Sequence, residues 1–140
     1  MTRAFFLTLL VCACSRFDEK RATDVGDRFA QYYLVEVNQE KALPLTSEHA
    51  PAHDRLEEEL DAVRDLRAEG VELQAERGDV SFKRTYFRED TEGHSARIIY
   101  DIKIGKERRH MLVSLHQEES GVWRVTSFTV QQGPAPTPSR

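Results

Sequence analysis

The sequence predicts an α+β fold in which two or three N-terminal helices pack on a strongly curved antiparallel sheet of four to six strands. Apolar residues recur with a helical period before Gly70 and alternate with polar residues after it. The last alternating run, Val122–Val130, changes parity partway along. Such a change indicates a β-bulge, which bends a sheet.

The first helix is predicted to run from about Ala22 to near Asn38, with Thr23 or Asp24 as its N-terminal cap. Its apolar positions follow the spacing i, i+4, i+7 and i+8, which places them on one helical face. These positions are Val25, Phe29, Tyr32 and Tyr33. The face is therefore expected to pack against the sheet.

A short turn over 39–45, closed by Pro44, is expected next, followed by a stronger helix that begins at His53 or Asp54. Gly70 lies where a C-terminal cap belongs. In this helix, helical spacing is kept by Leu56, Leu60, Val63 and then Leu66 or Arg67. Its acidic residues are Glu57, Glu58, Glu59, Asp61, Asp65 and Glu69. We interpret this acidic run as a solvated face and not as a cation site.

The alternating runs after Gly70 predict strands at 80–88, 96–104, 110–116 and 122–130, with weaker alternation at 71–75. Turns between them are marked by Glu92-Gly93, Gly105-Lys106 and Ser120-Gly121. Connections this short imply antiparallel hairpins. A bulge near Thr126 or Ser127 would bring the apolar residues of the last strand to one face. Those residues are Trp123, Val125, Phe128 and Val130.

The segment 1–13 is typical of a bacterial signal peptide. Arg3 provides a positive charge, and the run Ala4–Val11 is apolar except for Thr8. This run is too short to cross a bilayer, which requires roughly 20 apolar residues. We therefore expect the segment to direct export and then to be removed.

The sequence Val11-Cys12-Ala13-Cys14 resembles the lipobox of bacterial lipoproteins. Ala13 matches the small position of that motif and Val11 the aliphatic one, whereas Cys12 is an unusual residue between them. The resemblance implies that Cys14 is the lipid attachment site and that a membrane is a partner. Ser15 follows the cysteine in place of an aspartate, which favours the outer membrane, on its periplasmic side or at the cell surface. An ordinary cleaved signal peptide and an uncleaved leader remain open alternatives.

The rest of the chain divides into three parts. Residues 14–21 are expected to be the lipidated cysteine and a polar tether, residues 22–131 the folded domain, and residues 132–140 a disordered Pro-rich tail. The net charge of −4 argues against nucleic-acid binding, which needs a basic surface. Both cysteines lie at the end of the leader, so they form no disulfide framework.

Three segments carry a further resemblance: Phe29-Ala30-Gln31-Tyr32-Tyr33, Gln39-Glu40-Lys41-Ala42-Leu43 and Gly121-Val122-Trp123-Arg124-Val125. With the order of elements, they are similar to the cystatin-like cone of the nuclear transport factor two-like superfamily. The resemblance covers about Ala22 to Gln131. It implies a pocket in the mouth of the cone, between the concave sheet and the first helix.

The residues expected to line this pocket are Tyr33, Tyr86, Tyr100, His116 and Trp123. We expect a non-catalytic domain that binds a small hydrophobic ligand or an envelope protein, with a homodimer through the sheet face as a further expectation. The sequence predicts no catalytic residue, metal site or cofactor. One alternative is an isomerase or dehydratase, which would need a buried Asp or His facing a tyrosine. Another is a passive spacer on a lipid.

Overall fold

The protein has an α+β fold in which the helices precede a four-stranded antiparallel sheet that does not close. Its structure is a computed structural model that describes residues 5–73, 78–90 and 92–137, with side chains from residue 18 onward. The predicted α+β class, with helices before an antiparallel sheet, is thus confirmed. The number of strands in the described residues is at the lower end of the predicted range.

Within residues 5–68, the helical part has three α-helices joined by two shorter turns. They are α1 (Phe5–Ala30), a π-helical turn (Gln31–Val35), α2 (Gln39–Ala42), a 3₁₀ turn (Leu43–Leu45) and α3 (Pro51–Ala68). Asn38 ends the first helical segment and caps α2, because its side chain accepts a hydrogen bond from Lys41 N at 3.1 Å. Gly70 follows α3 with φ +84°, as expected of a C-terminal cap.

Two predicted helix starts were wrong. Helix α1 continues upstream of Ala22 through the segment expected to be a tether, because residues 15–21 contain charged helix formers and no proline or glycine. Thr23 is therefore inside the helix and does not cap it, and its hydroxyl donates to Glu19 O at 2.9 Å. Helix α3 begins at Pro51, whose fixed φ suits the first helical position, upstream of the expected His53 or Asp54.

The sheet is a meander of β1 (Val80–Glu89), β2 (Ser95–Ile104), β3 (Glu107–Gln117) and β4 (Trp123–Gln132). The strands lie in the order β1-β2-β3-β4. Residues 71–73, where weak alternation suggested a strand, are not in one, and 74–77 lie outside the described residues. The three predicted turns all connect strands.

The predicted bulge in β4 is confirmed. Ser114 pairs with Ser127 and Leu115 with Val125, which leaves Thr126 as the extra residue. A second bulge, which the sequence did not reveal, lies at Thr85 in β1. Each bulge reverses the side-chain parity of its strand, so residues after it exchange faces.

The core lies between the helices and one face of the sheet, which we call the inner face. Phe29 of α1 lies 5.0 Å from Phe128 of β4, measured between ring centroids, and Tyr33 lies 4.8 Å from the same ring. Leu56, Leu60 and Val63 of α3 are buried as predicted, whereas Leu66 is 38% exposed in the last turn of the helix. The buried strand residues on this face include Ile98, Tyr100, Ile102, Met111, Val113, Leu115, Trp123 and Val125.

Candidate functional site

The five residues expected to line one pocket lie on two sides of the sheet. Tyr33, Tyr100 and Trp123 belong to the buried core, with exposed fractions of 7%, 0% and 2%. Tyr86 and His116 lie on the opposite sheet face, which we call the outer face, since their register partners are Ile99 and Ser95. The bulge at Thr85 places Tyr86 there. The predicted residues therefore do not converge on a shared pocket.

The best candidate for a catalytic pair is Tyr100 on β2 with Asp27 on α1. The Tyr100 hydroxyl donates to Asp27 Oδ1 at 2.8 Å, and Arg84 Nη1 lies 3.1 Å from Asp27 Oδ2. Burial raises the pKa of Tyr100 far above its usual range, and the charge of Asp27 together with this hydrogen bond raises it further, whereas Arg84 opposes the shift. Tyr100 therefore stays protonated and acts as a donor.

An isomerase or dehydratase would need a buried Asp or His facing a tyrosine, and this arrangement meets that requirement only in part. Tyr100 has no exposed surface, and its proton is already donated to Asp27. Both Asp27 oxygens face donors, one from Tyr100 and one from Arg84. The cluster as folded joins α1 to the sheet, and a substrate would have to displace one of these contacts to be activated.

Tyr33 is engaged in a similar way at the other end of the first helical segment. Its hydroxyl donates to Glu59 Oε1 on α3 at 2.9 Å. Arg55 donates from Nε to the same carboxylate oxygen at 3.1 Å and from Nη1 to Phe128 O at 3.0 Å. Its guanidinium also lies 4.3 Å from the centroid of the Phe128 ring. This network joins α3 to β4 and to the turn after α1.

A polar cleft of about 480 Å³ lies between the 43–48 segment, the start of α3 and β4. Here His53 Nδ1 is 2.9 Å from Thr46 Oγ1, and His53 Nε2 is 3.2 Å from Glu57 Oε1. The Thr46 hydroxyl donates to Leu43 O at 2.6 Å, so it accepts from His53 and is not a free nucleophile. The i, i+4 spacing of His53 and Glu57 was the only sign of this cluster in the sequence.

These contacts hold the 43–48 segment against the edge of β4. Ser47 N donates to Val125 O at 2.9 Å, and Thr46 forms a parallel bridge with Val125. Arg124 donates to Pro44 O. The cleft is accordingly built around a covered sheet edge, and the side chains of Thr46, His53 and Arg124 in it have partners within the protein.

Four buried side-chain polar atoms have no hydrogen-bond partner in the described part of the chain. They are Gln39 Oε1, Asp101 Oδ1, Arg109 Nε and Trp123 Nε1. No cluster of three or more His, Cys, Asp or Glu side chains within residues 18–73, 78–90 and 92–137 is arranged to hold a metal ion.

The predicted lipid site lies outside the described side chains. Cys14 is within the backbone of helix α1, and the position of its sulfur is not described. Among the described residues, no helix has both the length and the apolar character needed to span a membrane.

Comparison with known proteins found no match. No protein-family model matches the chain, and neither a curated protein nor a solved structure is significantly similar to it.

Proposed function

We propose that this protein is a bacterial envelope lipoprotein, held on a membrane by a lipid on Cys14, with a domain that binds a partner and does not catalyse a reaction. The observation that carries the proposal is the sequence Val11-Cys12-Ala13-Cys14 at the end of a short apolar run. A thiol is a natural nucleophile for taking up a diacylglyceryl group. Two or more acyl chains make such an anchor stable, whereas one chain holds a protein only marginally.

The domain is proposed to be a cystatin-like cone of the nuclear transport factor two-like type. The order of helices before an antiparallel meander supports this, as do the bulges at Thr85 and Thr126, since bulges bend and twist a sheet. Phe29 and Tyr33, both in the segment that resembles the superfamily, pack against β4 through Phe128.

A binding role is favoured over catalysis because of how the tyrosines are used. Tyr33 and Tyr100 are both buried, and each donates its hydroxyl proton to a carboxylate of a neighbouring helix. A general acid or base must instead reach the proton of a substrate. The partner is therefore proposed to be a small hydrophobic ligand or an envelope protein.

Metabolic labelling tests the anchor. The full chain is expressed in a Gram-negative bacterium supplied with labelled palmitate, beside the Cys14→Ser variant and the matched Cys12→Ser variant. We expect label on the wild type and on Cys12→Ser, and none on Cys14→Ser. An unlabelled but shortened wild-type chain would support the ordinary signal peptide. Label that persists in Cys14→Ser would reject the assigned cysteine.

Membrane fractionation tests the location. The residue after the cysteine is Ser15, so the labelled protein should sediment with the outer membrane. Ser15→Asp should move it to the inner membrane, while Ser15→Ala should leave it in place. Wild-type protein in the inner-membrane fraction, with no effect of Ser15→Asp, would contradict the proposed location.

A further inference from the structure

The outer face of the sheet carries positive charge, although the whole chain is negative. Four exposed cations of β1 and β2 project from this face: Lys83, Arg88, Arg97 and Lys103. None of the four has an ion-pair partner among the residues that the structure describes. Asp101, the acidic residue of β2 on this face, is already paired with Arg108 at 2.6 Å. This part of the surface therefore has uncompensated positive charge.

The arrangement of these cations is unfavourable without a partner. Arg88 lies directly opposite Arg97 in the strand register, and like charges in that position repel. Charged residues on the edge strand β1 have an ordinary role, because they keep sheet edges from pairing with other chains. That role does not extend to Arg97 and Lys103, because β2 lies between β1 and β3 and is not an edge strand.

An apolar row crosses the same face between the cations. Ile99 is only 8% exposed, and its register neighbours Tyr86 and Leu112 are half-buried. One pair of cations, Arg88 and Arg97, lies on one side of the row, and the other two cations lie on the other side. We call the set Lys83, Tyr86, Arg88, Arg97, Ile99 and Lys103 the cationic face.

The segment after β4 crosses part of the outer face but leaves the four cations exposed. Gly133 N donates to Arg108 O at 2.9 Å, and residues 134–137 line a cleft with Thr85 of β1 and Asp101 of β2. The two lysines are exposed beside this cleft, and the two arginines are exposed at the other end of the same strands. The acidic helix α3 packs on the inner face, through Arg55 and Phe128. The negative charge of α3 and the cationic face are thus on opposite sides of the sheet.

We propose that the cationic face docks on an anionic phospholipid surface. The charges are spread along two strands and are not gathered at one point, which suits an extended negative surface. An aromatic and aliphatic row between cations suits the headgroup boundary, where cations meet phosphates and Tyr86 and Leu112 contact the upper acyl region. The inference rests on the proposed anchor, which would keep the domain beside a membrane. A homodimer through this face would instead bring like charges together.

Site-resolved amine labelling of the full chain tests the docking. The unlipidated Cys14→Ser variant is bound to phosphatidylcholine vesicles with and without phosphatidylglycerol. We expect Lys83 and Lys103 to be acylated several-fold more slowly on the anionic vesicles, and raised salt to remove the difference. Lys41 on α2 is the internal control and should react equally on both. Equal reactivity of Lys83 and Lys103 on the two vesicles would overturn the proposal.

A charge variant provides a second readout. Arg97→Gln with Lys103→Gln should weaken the part of vesicle binding that depends on phosphatidylglycerol by about fivefold per charge. The control variant, Lys41→Gln with Arg64→Gln, removes the same charge from the helical side. It should leave the phosphatidylglycerol-dependent binding unchanged. If the two double variants weaken vesicle binding equally, net charge and not the cationic face governs binding, and the proposal is wrong.

Two controls distinguish membrane docking from binding to an acidic polymer and from attachment by the lipid. Soluble polyglutamate that protects Lys83 and Lys103 as strongly as anionic vesicles would assign the face to an acidic protein or polymer and reject the membrane. Because the labelled variant carries no lipid, its result does not depend on acylation of Cys14. Failure of the anchor would appear only in the palmitate experiment.

Discussion

Gly26 shows how a single residue positions the first helix. Glycine in a helix interior costs about 1 kcal/mol relative to alanine, yet Gly26 lies in the middle of α1. A Cβ atom at this position would lie 2.6 Å from both Ile98 Cδ1 and the Tyr100 hydroxyl. The absence of a side chain therefore lets α1 approach β2 closely enough for Asp27 to accept the Tyr100 hydrogen bond.

Replacement of Gly26 by alanine should destabilise the protein. Overpacking against two fully buried side chains costs about 1–3 kcal/mol, which should exceed the gain in helix propensity. Chemical denaturation of Gly26→Ala is expected to show a net loss of up to about 2 kcal/mol, beside Asp24→Ala as an exposed control in the same helix. A gain of about 1 kcal/mol would show that α1 and β2 are not this close.

The raised pKa of Tyr100 predicts a loss of stability at high pH. The unfolded chain ionises its tyrosines above about pH 10, whereas Tyr100 keeps its proton in the folded state. The contribution of Tyr100 to the free energy of unfolding is therefore complete below pH 10. It falls as the pH rises and is about 1.4 kcal/mol smaller at pH 11. The difference in unfolding free energy between wild type and Tyr100→Phe should therefore shrink by about 1.4 kcal/mol from pH 9 to pH 11. Parallel pH curves would contradict the buried, protonated state.

At the scale of elements, Arg55 adds polar contacts to the apolar packing between α3 and β4. Arg55 donates to Glu59 and to Phe128 O and lies over the Phe128 ring. Arg64 of the same helix only approaches Glu40, at 3.6 Å, and both of these side chains are more than half exposed. Isolated pairs of the second kind contribute little to stability.

Arg55→Ala is therefore expected to lower the free energy of unfolding by about 1–2 kcal/mol. Arg64→Ala should change it by less than about 0.5 kcal/mol, and helix propensity changes equally in both variants. Urea denaturation compares the two. Similar losses would mean that the contacts of Arg55 with β4 do not contribute as the geometry indicates.

Elements with a long, regular pattern could be predicted from the sequence. The alternation in β2 and β3 placed both strands, and the parity change in β4 revealed the bulge at Thr126. The bulge at Thr85 was missed because the adjacent Tyr86 and Phe87 are both apolar and Tyr86 continues the parity of Phe82, although Phe87 is the one that lies on the inner face. Residues 71–73 lack strand structure because three weakly alternating positions give too little apolar surface to hold a strand.

The grouping of candidate site residues could not be predicted for a related reason. Periodicity tells which residues share a face of one strand, but the helices that cover a face are found only from tertiary packing. Tyr100 was thus placed correctly among apolar neighbours, whereas Tyr86 and His116 were assigned to the same pocket although they lie on the outer face. The Asp27 partner of Tyr100 is 73 residues away, and no local pattern connects them.

At the scale of the whole molecule, negative and positive charge lie on different sides of the sheet. The acidic residues of α3 lie on the helical side, and the uncompensated cations lie on the outer face of the sheet. Such a separation gives the domain a preferred orientation in the field of an anionic surface. A lipid at the start of the mature chain would add a fixed point of attachment, and the two features together would orient the domain on a membrane.

The most direct test of the anchored protein is the intact mass of the chain purified from bacterial membranes with detergent. A lipid-anchored protein should begin at Cys14 and be heavier than residues 14–140 by a diacylglyceryl group, with or without an additional acyl chain. A chain that still begins at Met1, or one that carries Cys14 as a free thiol, would contradict the lipid anchor.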